Sequence, residues 1–106
     1  MVNESFPDAS EDQVDSALRA AEAAFPVYRK LPGDRRARFL ESIANGLERG
    51  AKEIIDLANN ETSLDLPRLK IELRRTAGQA RFFADLARSG EWRETRVDEA
   101  EPERHP

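Results

Sequence analysis

Apolar positions recur at steps of three and four along most of this chain, a spacing that predicts helices rather than strands. The first stripe is Val14, Ala17, Leu18, Ala21, Ala24, Phe25 and Tyr28. Ser10-Glu11-Asp12-Gln13 before it reads as a capping box, in which the serine hydroxyl and the glutamine side chain each satisfy an amide of the first turn. Pro26 should end or kink that helix nearby, and Pro32-Gly33-Asp34 reads as a turn with Asp34 as candidate cap for the next. The second stripe is Phe39, Leu40, Ile43, Ala44 and Leu47, closing at Gly50, which is expected to adopt the left-handed conformation. A third, shorter stripe of Ala51, Ile54, Ile55 and Ala58, widened by Leu57, should run out at Asn59-Asn60. The fourth helix is expected to open between Ser63 and Asp65, with Pro67 in the first turn, where its missing N–H costs nothing. Its stripe is Leu69, Leu73, Ala77, Ala80, Ala84 and Ala87, broadened by Phe82, Phe83 and Leu86, with Gly90 as the stop.

No segment alternates as a strand would, so the expected fold is all-α: about four helices in a small bundle over residues 10–90. Residues 1–9 read as an amino-terminal extension. From Glu91 the chain is rich in acids and poor in large apolar residues, so 91–106 is expected to be a disordered acidic tail or one that awaits a partner. Trp92 should staple the end of the fourth helix onto the bundle.

Composition narrows the chemistry. At 106 residues the chain is one domain, with 39% hydrophobic and 36% charged residues and a net charge of −4. It has no cysteine and a single histidine, His105, which excludes thiolate chemistry and multi-histidine metal sites within these residues. The glycines never fall in the spacing of a phosphate-binding loop. The acidic balance argues against nucleic-acid binding, and neither a membrane span nor a signal peptide is expected, so the default location is cytoplasmic. One local departure stands out: the fourth helix carries Arg68, Lys70, Arg74, Arg75, Arg81 and Arg88 against only Glu72 and Asp85. It reads either as an anion-recognising face or as a solvated flank with local pairs such as Glu72 with Arg75 or Arg68, and the residues alone favour the flank.

Several ordered segments resemble the NAD(P)-dependent aldehyde dehydrogenase family. They are Ala24-Phe25-Pro26-Val27-Tyr28-Arg29, then Arg35 and Arg36, then Phe39 to Glu48 with its Leu40, Ile43, Ala44 and Leu47 stripe. Glu61-Thr62 is similar to the family's Glu-Thr-Gly turn, with Ser63 in place of a glycine that would tolerate positive φ. The run Arg75 to Ala84, the opening Phe6-Pro7-Asp8-Ala9 and Gly90-Glu91-Trp92 are similar to the subgroup that oxidises 2,5-dioxopentanoate, also called α-ketoglutaric semialdehyde.

The resemblance implies the amino-terminal helical part of the nucleotide-binding domain of such an enzyme. The family's cysteine nucleophile, glutamate base, oxyanion-stabilising asparagine and nucleotide site lie downstream, so no catalytic, cofactor-binding or metal residue is expected in this chain, which should be inactive alone. NAD or NADP is implied for the full-length enzyme only. The resemblance also places the fourth helix along the aldehyde access channel, with Ile71 and Arg75 facing it and Arg74 assisting with an acidic semialdehyde. The expected partner is the remainder of the enzyme, or a second copy met through exposed apolar helix faces. The alternative is a stand-alone helical interaction module.

Overall fold

The computed structural model describes residues 5–93. Four α-helices follow one another, α1 (Glu11–Tyr28), α2 (Gly33–Arg49), α3 (Ala51–Thr62) and α4 (Leu66–Ser89), ahead of a 3-10 turn at Glu91–Arg93. The fold is all-α, with no strand among the described residues. Of the acidic tail, residues 94–106 lie outside them.

Helix ends follow the local chemistry at several predicted places. The Ser10 hydroxyl accepts from the Gln13 amide and the Gln13 side chain accepts from the Ser10 amide, completing the capping box. Pro26 sits inside α1, which ends two residues later at Tyr28. Asp65 caps α4 by accepting from the Arg68 amide, Pro67 occupies the first turn, and Gly90 closes the helix at φ 71°. Three boundary expectations need correction. Asp34 is not a cap; α2 starts at Gly33 behind Pro32, and Asp34 lies inside the first turn with its carboxylate free to pair. Gly50 is not left-handed, at φ −86°, because a single residue joins α2 to α3 and the chain has no room to reverse. Asn59-Asn60 does not stop α3, which continues to Thr62.

The packed core lies between α2, α3 and α4. Fully buried positions are small: Ala37 and Ala44 on α2 and Ala77 and Ala84 on α4, joined by Ile55 and Leu69. Each alanine pair is seven residues apart, so each lines one face of its helix and lets the two backbones approach closely. α2 and α4 pack along most of their length, and α3 closes one side. The backbone of α1 packs against none of the other helices. Its last residue touches α2, where the Tyr28 ring meets that of Phe39 edge-on at 6.1 Å between centroids. Every residue of α1 is exposed, including Leu18 at 65% and Phe25 at 61%.

Candidate functional site

The basic helix α4 divides its cations between two tasks. Arg81 and Arg88, seven apart, lie toward α2. Arg81 grips Glu48 with both terminal nitrogens, at 2.9 and 2.8 Å, and also donates to Asn45 at 2.8 Å. Arg88 donates to Glu41 at 2.7 Å and reaches Asp34 at 3.4 Å. Because Glu41 and Glu48 are also seven apart and meet the arginines in reverse order, α2 and α4 run antiparallel. Guanidinium–carboxylate pairs of this kind are charge-assisted and directional. The hydrogen bonds and charges of Glu41 and Asp34 favour protonated Arg88, and Arg38, with Arg88 behind it, holds the Asp34 carboxyl below the ordinary carboxylate range.

The other cations of α4 are left outward. Arg68 approaches Glu72 at 4.0 Å, the local pair the spacing suggested. Lys70, Arg74 and Arg75 are exposed and make no ion pair among the described residues. Ile71 is 60% exposed. At about 100° per residue, Ile71, Arg75, Gly78 and Phe82 form one line on the side of α4 turned away from its buried alanines. Arg74 lies about 100° round the helix from Arg75, on a flank. The structure thus brings Ile71 and Arg75 onto one outward face and leaves Arg74 off it.

Sequence reading did not anticipate the cross-helix pairs. A signal was present: carboxylates at Glu41 and Glu48 and guanidiniums at Arg81 and Arg88 share the same seven-residue step as the buried alanines beside them.

A cleft of about 240 Å³ opens between α2, α3 and α4, walled by Leu47, Ile54, Leu69 and Leu73 with Glu72 and Thr76 at its polar edge. One carboxylate and one hydroxyl against an apolar wall make no nucleophile–base arrangement. Among the described residues no three His, Cys, Asp or Glu side chains gather as metal ligands do. The described glycines stand singly at 33, 46, 50, 78 and 90, so none of them falls in the spacing of a phosphate-binding loop. Among the described residues the groups at this cleft and along α4 serve packing and ion pairing.

Residues 2–105 match the aldehyde dehydrogenase family. The chain belongs to the aldehyde dehydrogenase family. Among curated relatives, it is 42% identical over 101 residues to an alpha-ketoglutaric semialdehyde dehydrogenase of Acinetobacter baylyi, covering 95% of this chain and 19% of that protein. It is 39% identical, with the same coverage, to alpha-ketoglutaric semialdehyde dehydrogenase 2 of Azospirillum brasilense. A 4-trimethylaminobutyraldehyde dehydrogenase B of Danio rerio matches at 39% over 75 residues, 64% of this chain and 14% of that protein. No solved structure matches. The chain therefore spans about one fifth of the length of the first two relatives.

In this aldehyde dehydrogenase segment the Glu61-Thr62-Ser63 turn joins α3 to α4 with Ser63 at φ 59°, the left-handed conformation usually left to glycine. Side chains bracket it: Asn59 donates to the Leu64 carbonyl at 2.6 Å, and the Thr62 hydroxyl accepts from the Leu64 amide at 3.2 Å. Trp92 also has its place, with the Arg36 guanidinium of α2 5.6 Å from its ring centroid, so the end of α4 is tied to α2 by a cation–π contact.

Proposed function

We propose that this chain is the amino-terminal helical segment of an NAD(P)-dependent aldehyde dehydrogenase that oxidises an acidic semialdehyde to the corresponding dicarboxylate. The observation that carries this reading is the 42% identity along 95% of the chain to a relative named for α-ketoglutaric semialdehyde. On this reading the remainder of the enzyme supplies the nucleophile, the base and the site for NAD or NADP. This segment contributes no catalytic residue, binds no cofactor by itself and is inactive alone. Its partner is that remainder, and in isolation the segment associates with itself through exposed apolar helix faces. We place it in the cytoplasm, with neither membrane nor nucleic acid as partner.

Within that enzyme we assign Ile71 and Arg75 to the wall of the aldehyde access channel, with Arg74 assisting from the flank. Three features support the assignment. Ile71 and Arg75 share one face, the Arg75 guanidinium has no competing carboxylate among the described residues, and a guanidinium can take a carboxylate by two parallel hydrogen bonds. The isoleucine beside it offers an apolar surface to the methylene stem of a semialdehyde. Arg75 then acts on the substrate's distal carboxylate and steers the aldehyde end inward.

The test grafts this chain in place of the matching segment of the Acinetobacter baylyi relative and compares an acidic semialdehyde with a neutral aldehyde of equal length. Arg75→Ala is expected to lower kcat/KM for the acidic substrate about 10- to 100-fold, the value of one hydrogen-bonded charge contact. The neutral substrate should change by less than about 3-fold, since it makes no such contact. Equal losses for both substrates overturn the steering role.

A further inference from the structure

One seam of α1 is uncovered along the whole helix. Val14, Leu18, Ala21, Phe25 and Tyr28 share a face, and all five are exposed. Two other surfaces of the chain could meet it. The outer line of α4 is a poor counterpart, because Arg75 stands between Ile71 and Phe82. α2 offers the exposed Phe39 and Ile43, but folding α1 back onto them would bring Arg29 and Lys30 toward Arg35 and Arg36, and like charges repel.

Charge along α1 is divided between its halves. Residues 11–18 hold Glu11, Asp12 and Asp15 and no base, and Asp8 precedes them. Residues 19–30 hold Arg19, Arg29 and Lys30 against Glu22. A second α1 laid alongside in the same direction would set acid on acid and base on base. Laid antiparallel, it sets each acidic end on a basic one, and the two helix dipoles are opposed as well.

Full overlap fixes the register. With Glu11 of one helix level with Tyr28 of the other, Val14 meets Phe25, and Leu18 meets Ala21, whose small side chain makes room for the leucine. The same overlap brings Arg29 toward Asp8 and Glu11 of the other copy. Asp15, which comes near Glu22 there, is already paired with Arg19 at 2.8 Å. The arrangement is twofold, so each contact occurs twice.

We propose that two copies of this chain pair through an antiparallel α1–α1 seam, with Asp8 and Glu11 of each copy against Arg29 and Lys30 of the other. The proposal rests on the reading that the isolated segment associates with itself, and adds the face and the orientation.

The chain has no cysteine, so introduced thiols report the pairing directly. Ala9→Cys and Lys30→Cys chains are oxidised mildly, each alone and in equal mixture. Full overlap places residue 9 of one copy beside residue 30 of the other, whereas two like positions lie about 30 Å apart, beyond the roughly 7 Å that a disulfide spans. The mixed disulfide should exceed either self-linked species at least about 10-fold. Self-linked species that equal or exceed it overturn the proposal. Sedimentation of the unmodified chain separates the two readings: a monomer overturns both, whereas a dimer without the mixed disulfide overturns only the antiparallel α1 seam. At low salt the Arg29→Glu, Lys30→Glu chain should associate at least about 10-fold more weakly, and recover when mixed with an Asp8→Lys, Glu11→Lys chain. Affinity unchanged by the reversal overturns the charge-set orientation.

Discussion

Two residues at chain reversals show how side-chain size and backbone conformation act in opposite directions. Gly33 opens α2 directly against the end of α4, where an added Cβ would collide with the Ala87 carbonyl oxygen, a backbone atom that cannot swing away. Ser63 presents the converse case: its φ of 59° suits glycine, and an L side chain there carries strain. Gly33→Ala should therefore destabilise the chain by about 2 kcal/mol, the cost of overpacking a closed contact. Ser63→Gly should stabilise it by about 0.5–1 kcal/mol, the relief of left-handed strain less the added freedom of the unfolded chain. Urea unfolding followed by circular dichroism checks both, and equal midpoints for the three proteins would falsify the pair. The sequence announces a turn at Glu61-Thr62-Ser63 but not its conformation. The residue type argues against positive φ, while the holding hydrogen bonds from Asn59 and Thr62 appear only once the chain is folded.

At the scale of helices, the stripes located α1 to α4, and local signals located the caps at Ser10, Asp65 and Gly90, because capping and 3.6-residue periodicity are local properties. They did not say which apolar residues would be buried. Ala44, Ala77 and Ala84 of the predicted stripes are in the core, whereas Phe39 and Ile43 of α2 are exposed, and Ala37, outside the stripe, is fully buried. A stripe marks every residue that benefits from cover; the partner decides which are covered. The α2–α4 pair is an alanine seam flanked by Arg88 with Glu41 and Asp34 and by Arg81 with Glu48, and its amino-terminal end depends on a charged Asp34. Hydrogen bonding by Arg38 lowers the Asp34 pKa in the folded state, so the unfolded chain takes up this proton first as pH falls. Its contribution is complete above the ordinary carboxylate range and is lost as pH drops through the lower folded value. Melting temperatures measured between about pH 6 and pH 2 should fall more steeply for the unmodified chain than for Asp34→Asn. Raising salt to about 1 M should narrow that difference, because the pair is exposed to solvent and screened. Parallel acid profiles for the two proteins would assign the pair no role.

For the whole molecule, the sequence did not reveal that α1 stands off the other three helices. Its stripe is as regular as theirs, and periodicity cannot distinguish a face packed within the chain from one turned outward. Val14, Leu18, Ala21, Phe25 and Tyr28 step by four, three, four and three residues, a narrow seam of the kind that pairs helices. An 18-residue helix with no packing partner is marginal in water, so α1 is helical in the isolated chain only as far as something covers this seam. Ile71 and Phe82 on the outer line of α4 add a second uncovered apolar surface, with Phe82 63% exposed. The isolated chain is therefore expected to self-associate and to bind an apolar-surface dye. Burying one leucine or phenylalanine is worth about 1.5–3 kcal/mol, so Leu18→Asp with Phe25→Asp should weaken association by at least about 10-fold and lower the helix content. Phe82→Asp on α4 should weaken association less and leave the helix content intact, because α4 is held by α2 and α3 whether or not its outer face is covered. Sedimentation and circular dichroism on the same samples separate the two faces. A compact, cooperatively melting monomer that binds no dye would show that α1 finds cover within its own chain.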